Sequence, residues 1–191
     1  GIARLIDHTL LKPDARPEQV EQLCAEAVER GFASVCVNSC YVPLCRRRVE
    51  GSGVRVCTVI GFPLGANTTA TKAAETAEAL AAGGAEFDMV INVGALKDGR
   101  DAYVLADIEA VVAAADGRIV KVIIDTFFLT DAEKVMAVRL ACQAGASFVK
   151  ASSGIRSWTA ARALIDAGAQ RLGTSAGVQI LAEYAACGAG T

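Results

Sequence analysis

In Ala144-Gly145-Ala146-Ser147-Phe148-Val149-Lys150 a glycine that can stop a helix is followed within three residues by a short aromatic and β-branched run. The join recurs at Ala167-Gly168-Ala169 ahead of Arg171 to Thr174, and as Gly83-Gly84-Ala85 ahead of Phe87 to Val93. Such recurrence is the internal repeat of a βα array. Outward from it, further apolar runs at Leu5 to Leu11, Ala33 to Asn38, Val54 to Gly61 and Ile119 to Ile124 are too short for helices and rich in Val, Ile and Phe. With Phe87 to Val93, Ser147 to Lys150 and Arg171 to Thr174 they predict seven strands. Helices are predicted near 17–30, 40–50, 68–82, 101–115, 131–144 and 157–167. Pro17 suits a first turn, and Thr130 and Glu133 stand at capping-box spacing.

Strands apolar on both faces and separated by helices imply a parallel sheet covered by helices, either a closed (β/α)8 barrel or an open doubly wound sheet. An open dinucleotide-binding sheet would carry Gly-x-Gly-x-x-Gly after its first strand; this chain has Thr9-Leu10-Leu11-Lys12-Pro13 there. Polar residues gather instead at the expected C-terminal ends of strands: Asp7, Asn38, Asn92, Asp125, Lys150 and Ser175. In a TIM barrel those ends form one mouth, where active sites sit. The expectation is a single barrel domain over residues 1–191.

Composition agrees. The 191 residues are 53% hydrophobic and only 5% aromatic, enough for one compact core. A net charge of −2 supplies no basic stripe, and Arg46, Arg47 and Arg48 stand alone beside Glu50, which argues against a nucleic-acid partner. No run approaches a membrane span of ~18 residues. The first residues read as strand rather than as a targeting peptide. Seven cysteines, an odd number mostly inside apolar segments, point to a reducing, cytoplasmic setting.

A lysine at the end of a buried strand cannot reach bulk water as a helix-surface lysine does. Its amine is expected to be partly desolvated and available to attack a carbonyl, which makes Lys150 the candidate nucleophile. The plainer reading is a lysine that ends an edge strand. Asp88, flanked by Phe87 and Met89, is either paired or functional, and an ion pair with Lys121 on the next strand is its structural alternative. His8 is the single histidine and reads as structural; with no ligand spacing among His, Cys and Asp, neither metal nor other cofactor is expected. Gly173-Thr174-Ser175-Ala176-Gly177 fits a hydrolase elbow formally, but the lone histidine argues against that chemistry.

Six strings in order over nearly the whole chain resemble the deoxyribose-phosphate aldolase family: Ile6-Asp7-His8-Thr9-Leu10-Leu11-Lys12, Val35-Cys36-Val37-Asn38, Val59-Ile60-Gly61-Phe62-Pro63-Leu64-Gly65, Asp88-Met89-Val90-Ile91-Asn92, Val120-Lys121-Val122-Ile123-Ile124 and Gly173-Thr174-Ser175. The resemblance implies a class I aldolase that splits 2-deoxyribose 5-phosphate into acetaldehyde and glyceraldehyde 3-phosphate through a lysine imine, with no metal. It implies Lys150 as the Schiff-base lysine, Asp88 as proton relay and Lys121 as a supporting lysine. Asp7 and Cys36 would line the site, while Gly154, Gly173, Thr174 and Ser175, ahead of a helix starting near Val178, would hold the phosphate. Partners implied are a phosphorylated sugar, an aldehyde and further copies of the chain, as dimer or tetramer. Asp125 stands where the family has glutamate.

One departure is large. The family has a second lysine in a Lys-Ala-Ser-Gly-Gly-Ile-Arg string on the seventh strand, whereas here Lys150 runs directly into Ala151-Ser152-Ser153-Gly154-Ile155-Arg156. The sixth-strand prefix meets the seventh-strand suffix, as though about one βα unit, roughly 30 residues, were absent. Either the polypeptide lacks the unit, or the sequence passes over it; intact motifs elsewhere favour the second, and a break between Lys150 and Ala151 is expected. Lys150 is then either the nucleophile followed by a gap or the partner lysine preceded by one, and the preceding Ala144 to Val149 fits the nucleophile context. A true deletion would favour a different class of function, a catalytically silent sugar-phosphate-binding protein.

Overall fold

The computed structural model describes residues 1–150, 155–166 and 171–187, without the side chain of residue 164. The expected break after Lys150 and the phosphate contact at Gly154 therefore lie outside the described residues. Two compact units are present, one formed by residues 1–57 with the described residues after 153, the other by residues 58–152.

The first unit opens with a 3-10 turn, Ile2–Leu5, where the sequence pattern had placed Leu5 in a strand. Strands β1 (Ile6–Leu10) and β2 (Ser34–Val37) flank α1 (Pro17–Arg30). Pro17 begins α1, the Gln19 side chain returns to the Arg16 N–H at 2.9 Å, and Gly31 stops the helix in the left-handed region at φ 65°. After α2 (Val42–Arg48), strand β3 (Arg55–Ile60) enters with the Arg55 N–H on the Ala33 carbonyl at 3.1 Å. The unit is completed by α7 (Trp158–Asp166), β7 (Leu172–Thr174) and α8 (Gly177–Ala186). β1 lies between β2 and β7, parallel to both, with Asp7 in register with Ser34 and with Gly173. Ile6 and His8 face α8, where any Cβ on Gly177 would come within 3.1 Å of each. Side chains alternate along a strand, so Asp7 projects from the opposite face.

The second unit takes the end of β3, then α3 (Thr69–Ala81), β4 (Glu86–Val90), α4 (Val93–Lys97), α5 (Asp101–Ala114), β5 (Ile119–Ile123), α6 (Asp131–Gln143) and β6 (Phe148–Lys150). The order is β6-β5-β4-β3, and β4, β5 and β6 run parallel. One core holds the unit together. Phe87, Met89 and Ile91 from the β4 segment and Val120, Val122 and Ile124 from the β5 segment pack on Val104, Ile108 and Val111 of α5 and Leu140 and Ala141 of α6. That periodicity of two puts Glu86, Asp88 and Lys121 on the other face of the sheet.

All seven predicted strands are present, and the predicted helices agree to within two residues at either end. Among the described α-helices, α4 was not foreseen. Asn92, expected as a mouth residue, caps it by accepting the Ala95 N–H at 2.9 Å. Cys24, Cys36, Cys45 and Cys57 are buried, whereas Cys40, Cys142 and Cys187 are exposed.

Candidate active site

Lys150, Asp88 and Lys121 meet, although 62 and 33 residues separate Asp88 from its two partners. In-register parallel pairing sets Asp88 beside Lys121, and Ile123 beside Lys150. The Lys121 ammonium donates to Asp88 Oδ1 at 2.8 Å and sits 2.7 Å from Glu86 Oε2. The Lys150 ammonium, from the C-terminal end of β6, reaches back to Asp88 Oδ2 at 2.5 Å. Glu86, Asp88 and Lys121 are essentially fully buried; the Lys150 side chain is 19% exposed, so it alone of the four reaches toward solvent.

Burial by itself would raise the Asp88 carboxyl, but the adjacent Lys121 and Lys150 ammonium groups outweigh it and hold the group well below the usual carboxylate range. Pairing of carboxylates with ammonium groups is what lets such charges be tolerated out of water. An ionised carboxylate bridging two lysines, one of them open to solvent, can exchange protons with whatever that lysine attacks.

Glu86 was missed in the sequence, although its place two residues before Asp88 puts both on one face. Asp7 needs correction. It was read as a C-terminal mouth residue, but it is the second residue of β1, fully buried, accepting from the Ser34 hydroxyl at 2.6 Å and paired with the Arg171 guanidinium. Arg171 was also missed: before the register was known, nothing joined residues 164 positions apart. Cys36 is fully buried on β2.

Thr174 is a brace: its hydroxyl donates to the Ile155 carbonyl at 2.7 Å and accepts the Ala176 N–H at 2.9 Å. Gly173 precedes it in β7, Ser175 is exposed, and α8 starts at Gly177. The first N–H groups of α8 thus follow the glycine turn directly, a backbone arrangement suited to an anion. His8 is structural as expected, with Nε2 2.7 Å from Glu26 Oε2 and its ring tilted against Phe32. Asp125 has φ 43°, in the left-handed region, where a short carboxylate is tolerated better than the glutamate of the resemblance.

Residues 2–180 match the model of the DeoC/LacD family aldolases. The chain is 50% identical over 208 aligned positions to deoxyribose-phosphate aldolase of Staphylococcus haemolyticus (strain JCSC1435), covering 94% of each chain. It is 50% identical over 211 positions to that of Geobacillus sp. (strain WCH70), covering 95% of each. Among solved structures, the tetrameric deoxyribose phosphate aldolase from Aeropyrum pernix superposes with TM-score 0.90 at 30% identity, covering 97% of this chain and 92% of that one. An aldolase designated QR15 does so at 0.92 and 31%, covering 98% and 97%. The fold is that of a TIM-like (β/α) barrel, with seven strands among the described residues. The 208 aligned positions exceed the 191 residues of the chain.

Proposed function

The chain belongs to the DeoC/LacD family of aldolases, and we propose that within it Lys150 is the imine-forming lysine for the cleavage of 2-deoxy-D-ribose 5-phosphate. The chain is a carbon–carbon lyase of the deoxyribose-phosphate type. The observation that carries the assignment is the Lys150–Asp88–Lys121 cluster, in which the nucleophile's partner is a carboxylate already ionised by a second lysine.

In this reading the Lys150 amine, after giving its proton to solvent, adds to the C1 aldehyde of the open-chain sugar. Loss of water from the carbinolamine gives a protonated imine. Its nitrogen accepts the electron pair of the C2–C3 bond as the C3 hydroxyl gives up its proton; glyceraldehyde 3-phosphate leaves, and the remaining enamine is protonated at C2 and hydrolysed to acetaldehyde. Asp88 relays the protons added and removed at oxygen and nitrogen, and Lys121 keeps it ionised between turns. The protonated imine is itself the electron sink, so the route calls for no metal.

Backbone N–H groups of Gly173, Ser175 and the first turn of α8 hold the phosphate, with Gly154 as a further donor, while Thr174 fixes the turn. Asp7, which is paired with Arg171, and Cys36 are taken as substrate-site residues on the family resemblance. Seven free cysteines suit the cytoplasm, and the tetrameric Aeropyrum pernix relative supports a homo-oligomer. No described helix is long and apolar enough to cross a membrane.

A single barrel domain interrupted after Lys150 by the absence of about one βα unit completes the proposal. Support comes from an alignment of 208 positions, longer than the 191 residues, and from β6, which ends the strand order among the described residues and whose Val149 is 36% exposed while all five residues of β4 are buried. The assay that tests the function is turnover of 2-deoxyribose 5-phosphate by the parent and by Lys150→Ala. Equal rates in the two would remove Lys150 from the reaction; parent turnover lost on chelation and restored by a divalent ion would replace the imine route with a metal one.

A further inference from the structure

Lys72, in the first turn of α3, is fully buried and plays no part in the steps above. Its ammonium donates to Asp107 Oδ2 of α5 at 2.5 Å and to the Val90 carbonyl at 2.9 Å, and the Thr69 hydroxyl donates to Asp107 Oδ1 at 3.0 Å. Three residues further along α3, Glu75 Oε2 accepts the Gly61 N–H at 2.8 Å. Val90 ends β4 and Gly61 follows the end of β3. An i, i+3 pair on one helical turn therefore grips the exits of two neighbouring strands.

The turn between those exits is built to the same tolerance. Gly61 and Gly65 have φ of +65° and +64°, and the Gly65 N–H closes on the Gly61 carbonyl at 2.8 Å. A Cβ on Gly65 would lie 2.0 Å from the Ile91 carbonyl oxygen, and one on Gly61 would lie 2.9 Å from Lys72 Cε. A buried ion pair is a poor fastener by itself, because well-packed apolar residues of the same volume often stabilise as much or more. What an apolar pair cannot do is satisfy the Val90 carbonyl and set where β4 ends. Asp88 stands two residues before Val90, on the same face of that strand.

We infer that Lys72, supported by Asp107 and Glu75, is a positioning residue of the aldolase: by holding the exits of β3 and β4 it fixes Asp88 against Lys150. The inference rests on the roles given above to those two residues. Displacing a reacting group by about 1 Å can cost up to ~100-fold in rate, so a partial loosening should be visible.

The test uses the full chain with Lys72→Met/Asp107→Leu, which removes both charges together, and Glu75→Ala beside Glu75→Gln, which keeps an oxygen for the Gly61 N–H. The readouts are kcat, KM, the rate of borohydride trapping with acetaldehyde, and amide exchange at Gly61, Gly65 and Ile91. The double variant should lose about tenfold in kcat and in trapping with KM within about twofold. Glu75→Ala should move the same way by less, and Glu75→Gln should restore the parent values. A merely structural pair would lower stability and leave kcat alone, so parent-like kcat and trapping in the folded double variant overturn the inference. Should that variant not fold, the half-buried Glu75 pair decides by the same criterion. If the parent itself traps no imine, the reading of Lys150 fails instead, and unchanged amide exchange in Glu75→Ala then sinks the clamp independently.

Discussion

At the scale of residues, the site is an ion-paired group in which Asp88 holds two lysines and Glu86 takes a share of one. Asp88→Asn should leave the volume nearly unchanged and remove the relay. Its kcat should fall by about 100-fold or more while KM for the sugar phosphate moves little; a raised KM with unchanged kcat would move Asp88 to ground-state binding. Acid stability gives a second reading of the same carboxylate. Its folded pKa lies below the unfolded value of about 3.9, so its stabilisation is complete above that value and is lost as pH falls through the lowered folded one. Urea midpoints of the parent should therefore drop steeply below about pH 4, and those of Asp88→Asn less so. Lys150, Asp88 and Lys121 were legible because charged residues inside apolar runs need a reason. Glu86 and Arg171 were not, since their meaning depends on which face and which register they occupy.

Among elements, α3 shows what periodicity conceals. A lysine in a first helical turn reads as solvent-facing, yet Lys72, Thr76 and Ala79 form the buried stripe of α3. The Gly61-Phe62-Pro63-Leu64-Gly65 string stood out in the sequence, but its seating on the end of β4 needed coordinates. Gly65→Ala combines a left-handed φ with a contact that cannot exist, and should destabilise by about 2 kcal/mol or more in denaturant unfolding; a change under about 0.5 kcal/mol would mean that the turn is not seated there. The Thr130 and Glu133 capping box was foreseen, because a helix start is written locally: Glu133 accepts the Thr130 N–H at 2.7 Å, and its own N–H reaches Thr130 Oγ1 at 3.3 Å. By contrast, α4 hid behind Asn92, whose side chain was read as chemistry rather than as a cap.

For the whole molecule, alternating βα units were readable from spacing alone, and the resemblance of six ordered strings located the chemistry on them. The proposed absence of a unit starts from the sequence as well, since one lysine string carries the beginning of one family motif and the end of another. Intact mass tests it: a polypeptide of this sequence weighs 19.7 kDa, and one that retains a βα unit is heavier by roughly 30 residues. The lower mass with full aldolase activity would show that the unit is dispensable; the lower mass with none would favour the silent binder. The most direct test of the central claim is reduction of the full chain with borohydride in the presence of acetaldehyde, followed by peptide mapping. An ethyl group on the Lys150 amine, absent from Lys150→Ala, is the predicted result. Modification of Lys121 instead, or none in an enzyme that still cleaves the sugar phosphate, would contradict it.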